Sequence, residues 1–130
     1  MKKPANAAEV VLAPGQVSFA TCPTRLRTLL GSCVAFTFWH PQRRIGGMCH
    51  FMLPARNRTG QPLDGKYADE ALELLLRHAR ANGTRPQDYQ VKVFGGGEMF
   101  PEQPRQRPAH NVANLNIRAA LALAERHHLH

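Results

Sequence analysis

Along the chain, short stretches with a two-residue apolar period give way to two longer stretches with a helical one. Residues 9–12 form a short strand that runs into the turn Ala13-Pro14-Gly15, and residues 16–20 (Gln, Val, Ser, Phe, Ala) alternate as a half-buried strand does. Cys22-Pro23-Thr24 interrupts this pattern, and Leu29-Leu30 lead into Gly31-Ser32-Cys33. Residues 33–39 are rich in β-branched and aromatic side chains, with Val34, Phe36 and Phe38 on one face and Cys33, Ala35, Thr37 and Trp39 on the other. His40-Pro41-Gln42-Arg43 is a turn signal, and a second apolar run over 45–53 closes at Pro54. Two such runs around a short polar loop predict a β-hairpin.

Residues 56–65 are polar, contain Gly60, Pro62 and Gly65, and are expected to form an exposed loop. The spacing of Ala68, Ala71, Leu72, Leu75 and Ala79 predicts a helix over 67–82, supported by Glu73 four residues before Arg77 and stopped by Asn82-Gly83. Residues 90–94 read as a strand ending in Gly95-Gly96-Gly97, and the Pro- and Gln-rich residues 101–110 as a flexible loop. Asn111 caps a last helix whose buried face is expected to carry Ile117, Ala120, Leu121 and Ala124. No internal repeat occurs, and strands and helices interleave without regular βαβ alternation. These features predict a mixed α+β layered fold.

The chain's 130 residues suffice for one domain, expected to span 1–130, and 43% hydrophobic with 20% charged residues is a globular composition. Three cysteines, Cys22, Cys33 and Cys49, make a poor disulfide framework and fit a reducing compartment. The basic start lacks the apolar core of a signal peptide, and the longest uncharged run, over 28–42, is shorter than the roughly 18 apolar residues of a membrane span. A soluble cytoplasmic protein without membrane insertion is the expectation. Lys and Arg number 17 against nine acidic residues, for a formal charge of +8. The basic residues are scattered in pairs and aromatics are only 7%, so a solvated cationic surface is favoured over a nucleic-acid interface.

Candidate chemistry begins with the hairpin. If residues 40–43 form a four-residue loop, Trp39 pairs with Arg44 and Cys33 lies directly opposite His50, whereas a three- or five-residue loop would set Phe51 opposite Cys33. A thiol and an imidazole so placed can form the ion pair that makes cysteine nucleophilic near neutral pH. Gly31 and Ser32 allow a tight backbone turn just before Cys33, where N–H groups can point at an oxyanion. Cys22 and Cys49 lack such a setting and are read as structural. No Cys or His spacing suits a closed zinc site, so no metal is expected. Gly95-Gly96-Gly97 lacks the Lys and hydroxyl residue of a phosphate loop; it reads instead as a backbone turn needing positive φ or close approach of another segment.

The blocks Leu30-Gly31-Ser32-Cys33-Val34-Ala35 and Ile45-Gly46-Gly47-Met48-Cys49-His50-Phe51-Met52-Leu53-Pro54 resemble those of the CheD family, the chemoreceptor glutamine deamidases. Lys66-Tyr67-Ala68-Asp69, Gly95-Gly96-Gly97-Glu98-Met99-Phe100 and Asn116-Ile117 resemble the family's later blocks. The resemblance implies β-sheet layers flanked by helices, as in deamidating toxins, and a cofactor-free amidohydrolase acting on glutamines of methyl-accepting chemotaxis receptors. It carries the family's nucleophile onto Cys33, its histidine onto His50 and its threonine onto Thr28. It further implies a CheC-type phosphatase as regulatory partner and a C-terminal β segment that is expected to be absent here. Because a thioester route also handles esters, a methylesterase side activity is expected as well. The competing expectation is an inactive binding module that docks on receptors or on CheC.

Overall fold

The computed structural model describes residues 8–95 and 112–129. Strands β1 (Glu9–Leu12), β2 (Val17–Thr21), β3 (Arg25–Thr28), β4 (Val34–His40), β5 (Ile45–Cys49) and β6 (Gln90–Gly95) are joined by helices α1 (Ala68–Ala81) and α2 (Val112–Arg126). An antiparallel sheet runs in the order β2-β5-β4-β6, and β1 pairs in parallel with β3 as a separate two-stranded sheet. The arrangement is α+β, as expected. The Gly96-Gly97 and 101–110 segments and the Asn111 cap lie outside the described residues.

Alternation along β4 and β5 divides the large sheet into two unlike faces. Val34, Phe36, Phe38, Ile45, Cys49 and Phe51 are all buried and form one core with Ala68, Ala71, Leu72, Leu75 and Ala79 of α1. All five positions of the expected α1 stripe are fully buried. Helix α2 adds Ala120 and Leu123, but Leu121 is 58% exposed, which corrects the expected face. The helix is rotated so that Asn116, Ala120 and Leu123, spaced four and three residues apart, turn inward. The opposite sheet face, with Ala35, Thr37, Met48 and His50, is approached by the β1-β3 pair, since Thr28 bonds His50 and Leu26 lines a cleft with Thr37 and Met48.

Two departures from the sequence expectation matter for the site. Strand β3 was not legible, because its four residues, Arg-Leu-Arg-Thr, carry only one apolar side chain. Its pairing with β1 supplies the missing stabilisation. The hairpin also closes one residue later than expected. His40 stays in the strand, 6% exposed, with its ring edge-on to Tyr89 and its Nδ1 accepting the Arg43 N–H at 3.1 Å. The turn therefore covers 41–44, and Arg44 takes φ 54° while its N–H donates to the His40 carbonyl at 2.8 Å. Trp39 pairs with Gly46 instead of Arg44.

The loop over 56–65 is exposed but anchored. Buried Glu70 accepts two 2.9 Å hydrogen bonds from Arg56 and one at 3.0 Å from the Asp64 N–H, and the Arg56 contact holds its carboxyl below the ordinary range.

Gly47 marks the tightest place in the core. A Cβ there would overlap the Phe19 ring and press on Leu75 at 3.0 Å. Gly47→Ala is expected to destabilise the fold by about 1–3 kcal/mol, the usual cost of overpacking, read as a lowered urea midpoint at unchanged slope.

Candidate active site

His50 lies just beyond β5, where the β4-β5 ladder opens. Regular pairing ends at Thr37 with Met48 and resumes only at the isolated pair Val34 with Phe51. In the gap, the Phe36 N–H donates to Cys49 Sγ at 3.4 Å. That thiol is fully buried, and burial pushes its pKa up to about 12, so Cys49 is an inert packing group. Cys22 is a different case: it is exposed, with the Arg44 guanidinium 3.5 Å from its sulfur, so it does not fill the core.

The backbone of His50 is held from the other side. Its N–H donates to the Gln16 carbonyl at 3.2 Å, and its carbonyl accepts the Gly15 N–H at 2.8 Å. Gly15 meets this turn with φ 87°, a conformation open to glycine at little cost.

The side chain of His50 is 3% exposed, and its Nδ1 lies 2.7 Å from Thr28 Oγ1. The same hydroxyl lies 2.8 Å from the Leu12 carbonyl oxygen. A carbonyl only accepts, so the hydroxyl's single proton goes to Leu12. The Nδ1 must then carry a hydrogen and donate it to Thr28, which leaves Nε2 with its lone pair. Three strands meet in this arrangement, with β1 supplying the carbonyl, β3 the hydroxyl and the end of β5 the ring. Thr28 is thus joined to His50 directly, and the strand that carries it was the one hidden in the sequence.

Cys33 immediately precedes β4 and is partly exposed. The later hairpin closure corrects the expected cross-strand pair. Extended by one residue from Val34 with Phe51, the register places Met52 beside Cys33 and Ala35 beside His50. Because the displacement is two residues, Cys33 and His50 still share the face turned toward β3, now as diagonal neighbours. Such neighbours have separations of about 7–8 Å between backbones and less between side chains. A third strand closes the other side of Cys33: Gly95 has φ 105°, and a Cβ there would stand 2.5 Å from the Cys33 carbonyl oxygen. The expected reading of this glycine, positive φ and close approach, holds at Gly95.

Gly31 and Ser32 form a bend before Cys33 without a left-handed glycine, and Ser32 is exposed. Among the described residues, neither the Ser32 nor the Cys33 N–H donates to another backbone group.

Burial raises the Cys33 thiol pKa and lowers that of the His50 imidazole. Both shifts come from desolvation and favour the neutral forms, a protonated thiol at Cys33 and an uncharged imidazole at His50. Among the described residues no group of three or more His, Cys, Asp or Glu could hold a metal ion, and no described helix is long and apolar enough to cross a membrane. A cleft of about 230 Å³ lined by Leu26, Thr37, Trp39 and Met48 continues along the same sheet face, but neither Cys33 nor His50 lines it.

Comparison with known proteins now bears on these residues. The family described as CheD chemotactic sensory transduction matches residues 52–130. A Pseudomonas fluorescens (strain SBW25) protein named "Probable chemoreceptor glutamine deamidase CheD" is 78% identical over all 130 residues, which cover 73% of its own length. The chain belongs to the CheD family. A relative of the same name from Pseudomonas syringae pv. tomato is 67% identical over 129 residues, 99% of this chain and 77% of its own. A Leptospira interrogans protein named "Probable chemoreceptor glutamine deamidase CheD 1" is 35% identical over 127 residues, 95% of this chain and 75% of its own. The family match begins after both Cys33 and His50, while the relatives' similarity extends across them.

The hydroxyl bridge makes a spectroscopic prediction about this CheD-family chain. His50 is expected as the Nδ1–H tautomer, titrating below the ordinary histidine value of 6.5 because burial disfavours its cation. In Thr28→Val the Nδ1–H loses its acceptor, and the Nε2–H tautomer should appear. Long-range ¹⁵N–¹H correlation spectra distinguish the two forms.

Proposed function

We propose that this chain is a protein-glutamine glutaminase that converts glutamine side chains of chemoreceptors to glutamate, with Cys33 as nucleophile and His50 as general base. The relatives' names supply the reaction and the substrate class. The observation that carries the residue assignment is the Thr28 bridge, which protonates Nδ1 and so leaves Nε2 as the acceptor of a proton.

Starting from neutral partners, His50 Nε2 takes the Cys33 proton as the sulfur attacks the carboxamide carbon. The C–S bond forms, and the carbonyl π pair moves to oxygen. The backbone N–H groups of Ser32 and Cys33 are the candidate donors to that oxyanion, a contribution of roughly 3–4 kcal/mol per donor in other enzymes. When the oxyanion collapses, the C–N bond breaks, and the proton on Nε2 passes to the departing nitrogen to give ammonia. A water then attacks the thioester while Nε2 takes its proton. The C–S bond breaks, the sulfur recovers that proton, and the new carboxylic acid ionises in solvent. Methyl-glutamate has the same acyl carbon, so its hydrolysis follows the same route as a side activity.

The charge of +8 supports an acidic protein substrate, because opposite charge speeds encounter and its effect weakens with salt. A CheC-type phosphatase is the regulatory partner that the family resemblance implies.

Cys33→Ala is expected to abolish ammonia release from a receptor cytoplasmic fragment, and His50→Ala to reduce it by about 10²–10⁴-fold. In the wild type, the acid limb of kcat/KM should fall below pH 6.5, because His50 stays unprotonated further into acid than an ordinary histidine. Equal ammonia release from wild type and Cys33→Ala would reject the assignment and leave a binding module.

A further inference from the structure

Helix α2 carries one fully buried polar side chain, Asn116. Its Nδ2 donates to the Met52 carbonyl at 2.9 Å, whereas its Oδ1 is buried with no hydrogen-bond partner among the described residues. An apolar side chain of similar volume would spare the unpartnered Oδ1 but leave the Met52 carbonyl without its donor. One polar atom of the amide is thus used and the other is not, and the single hydrogen bond is the reason for an amide here.

That bond ends on an unusual segment. Phe51 is still paired with Val34 through two hydrogen bonds, Val34 N–H to Phe51 carbonyl at 3.2 Å and Phe51 N–H to Val34 carbonyl at 2.9 Å. Met52 is the first residue past this pair. Its N–H turns away to the Lys66 carbonyl at 2.8 Å, which the Leu53 N–H also reaches at 3.1 Å. The Met52 carbonyl is left for Asn116. This residue flanks Cys33 in the extended register and lies two residues from His50, next to the opened part of the β4-β5 ladder. With the ladder interrupted between Met48 and Phe51, the Val34–Phe51 pair ties this stretch to β4 next to Cys33, and Met52 itself makes no backbone hydrogen bond to β4.

We propose that Asn116 is a positioning residue: by holding the Met52 carbonyl it fixes the chain beside Cys33 and so sets the spacing of Cys33 and His50. This deepens the glutaminase reading and rests on it, since the spacing matters only if the two side chains work together. Asn116 touches neither reacting group and acts through Met52. The amide is the fitting group because it donates without a charge, and the stranded Oδ1 is the cost of using it.

The test combines two variants with two readouts. Asn116→Leu removes the donor and the stranded acceptor together. It is expected to lower kcat at least tenfold with KM changed less than threefold, and to lower the thermal midpoint only modestly, since the freed Met52 carbonyl is offset by removal of the unpartnered Oδ1. Cys33 alkylation by iodoacetamide at pH 7 provides a readout that does not require turnover. His50→Ala should slow alkylation in the wild-type background and change it less than twofold in the Asn116→Leu background, since the pair is already uncoupled there. An equal effect of His50→Ala in both backgrounds overturns the proposal, as does unchanged kcat in Asn116→Leu. Absence of ammonia release from the wild type would instead reject the glutaminase reading, while the alkylation cycle would still decide the role of Asn116.

If Asn116→Leu fails to fold, Asn116→Asp decides. A protonated aspartate can donate to the Met52 carbonyl and an ionised one cannot. Its kcat relative to wild type should rise as pH falls and decline as pH rises, and a flat ratio overturns the proposal.

Discussion

One hydroxyl proton organises the candidate site. Thr28 Oγ1 lies between a carbonyl that can only accept and a ring nitrogen that can do either, and the carbonyl decides the matter. Neither Leu12 nor Thr28 is chemically unusual. Their effect comes from β1 and β3 pairing in parallel, which puts the Leu12 carbonyl and the Thr28 hydroxyl at matching heights over the large sheet. A site assembled this way tolerates little sliding of one strand against another, because a step of one residue would turn Thr28 away from the ring.

The two faces of the large sheet divide the work. Phe36, Phe38 and Phe51 are buried in one core with the inner face of α1. On the opposite face the small Ala35 lies between Cys33 and Thr37, so polar groups there are separate from the core. Cys49 and His50 are adjacent in sequence and face opposite sides, and their environments make them opposites. One is a thiol locked in its protonated form by burial, and the other is an imidazole whose base form burial favours. The opened ladder between them has its own cause, since the Phe36 N–H goes to the Cys49 sulfur instead of a backbone oxygen.

Neutral partners change how the chemistry must be described. Desolvation raises the Cys33 thiol and lowers the His50 imidazole, and in the proposed mechanism proton transfer accordingly accompanies attack on the substrate. A site of this kind gains most from a base held in the correct tautomer and from fixed backbone donors, both of which are properties of strand placement.

Much of this was legible in the residues themselves. The two-residue alternation over 33–39 specified which side chains share a face, and the Ala68-Ala71-Leu72-Leu75-Ala79 spacing specified the inner face of α1, because both periods follow from local backbone geometry. The ordered blocks around Cys33 and His50 resembled a family to which the chain does belong. Register was not legible. His40 looks like a turn residue, yet it stays in the strand because Tyr89, nearly fifty residues away, gives its ring a packing surface. Strand β3 was hidden because four residues with one leucine carry little apolar signal, and only pairing with β1 makes them a strand. The inward turn of Asn116 in place of Leu121 likewise depends on the Met52 carbonyl, a group that only the folded chain brings within reach. Local periodicity determined the faces, and contacts between segments distant in sequence decided how those faces line up.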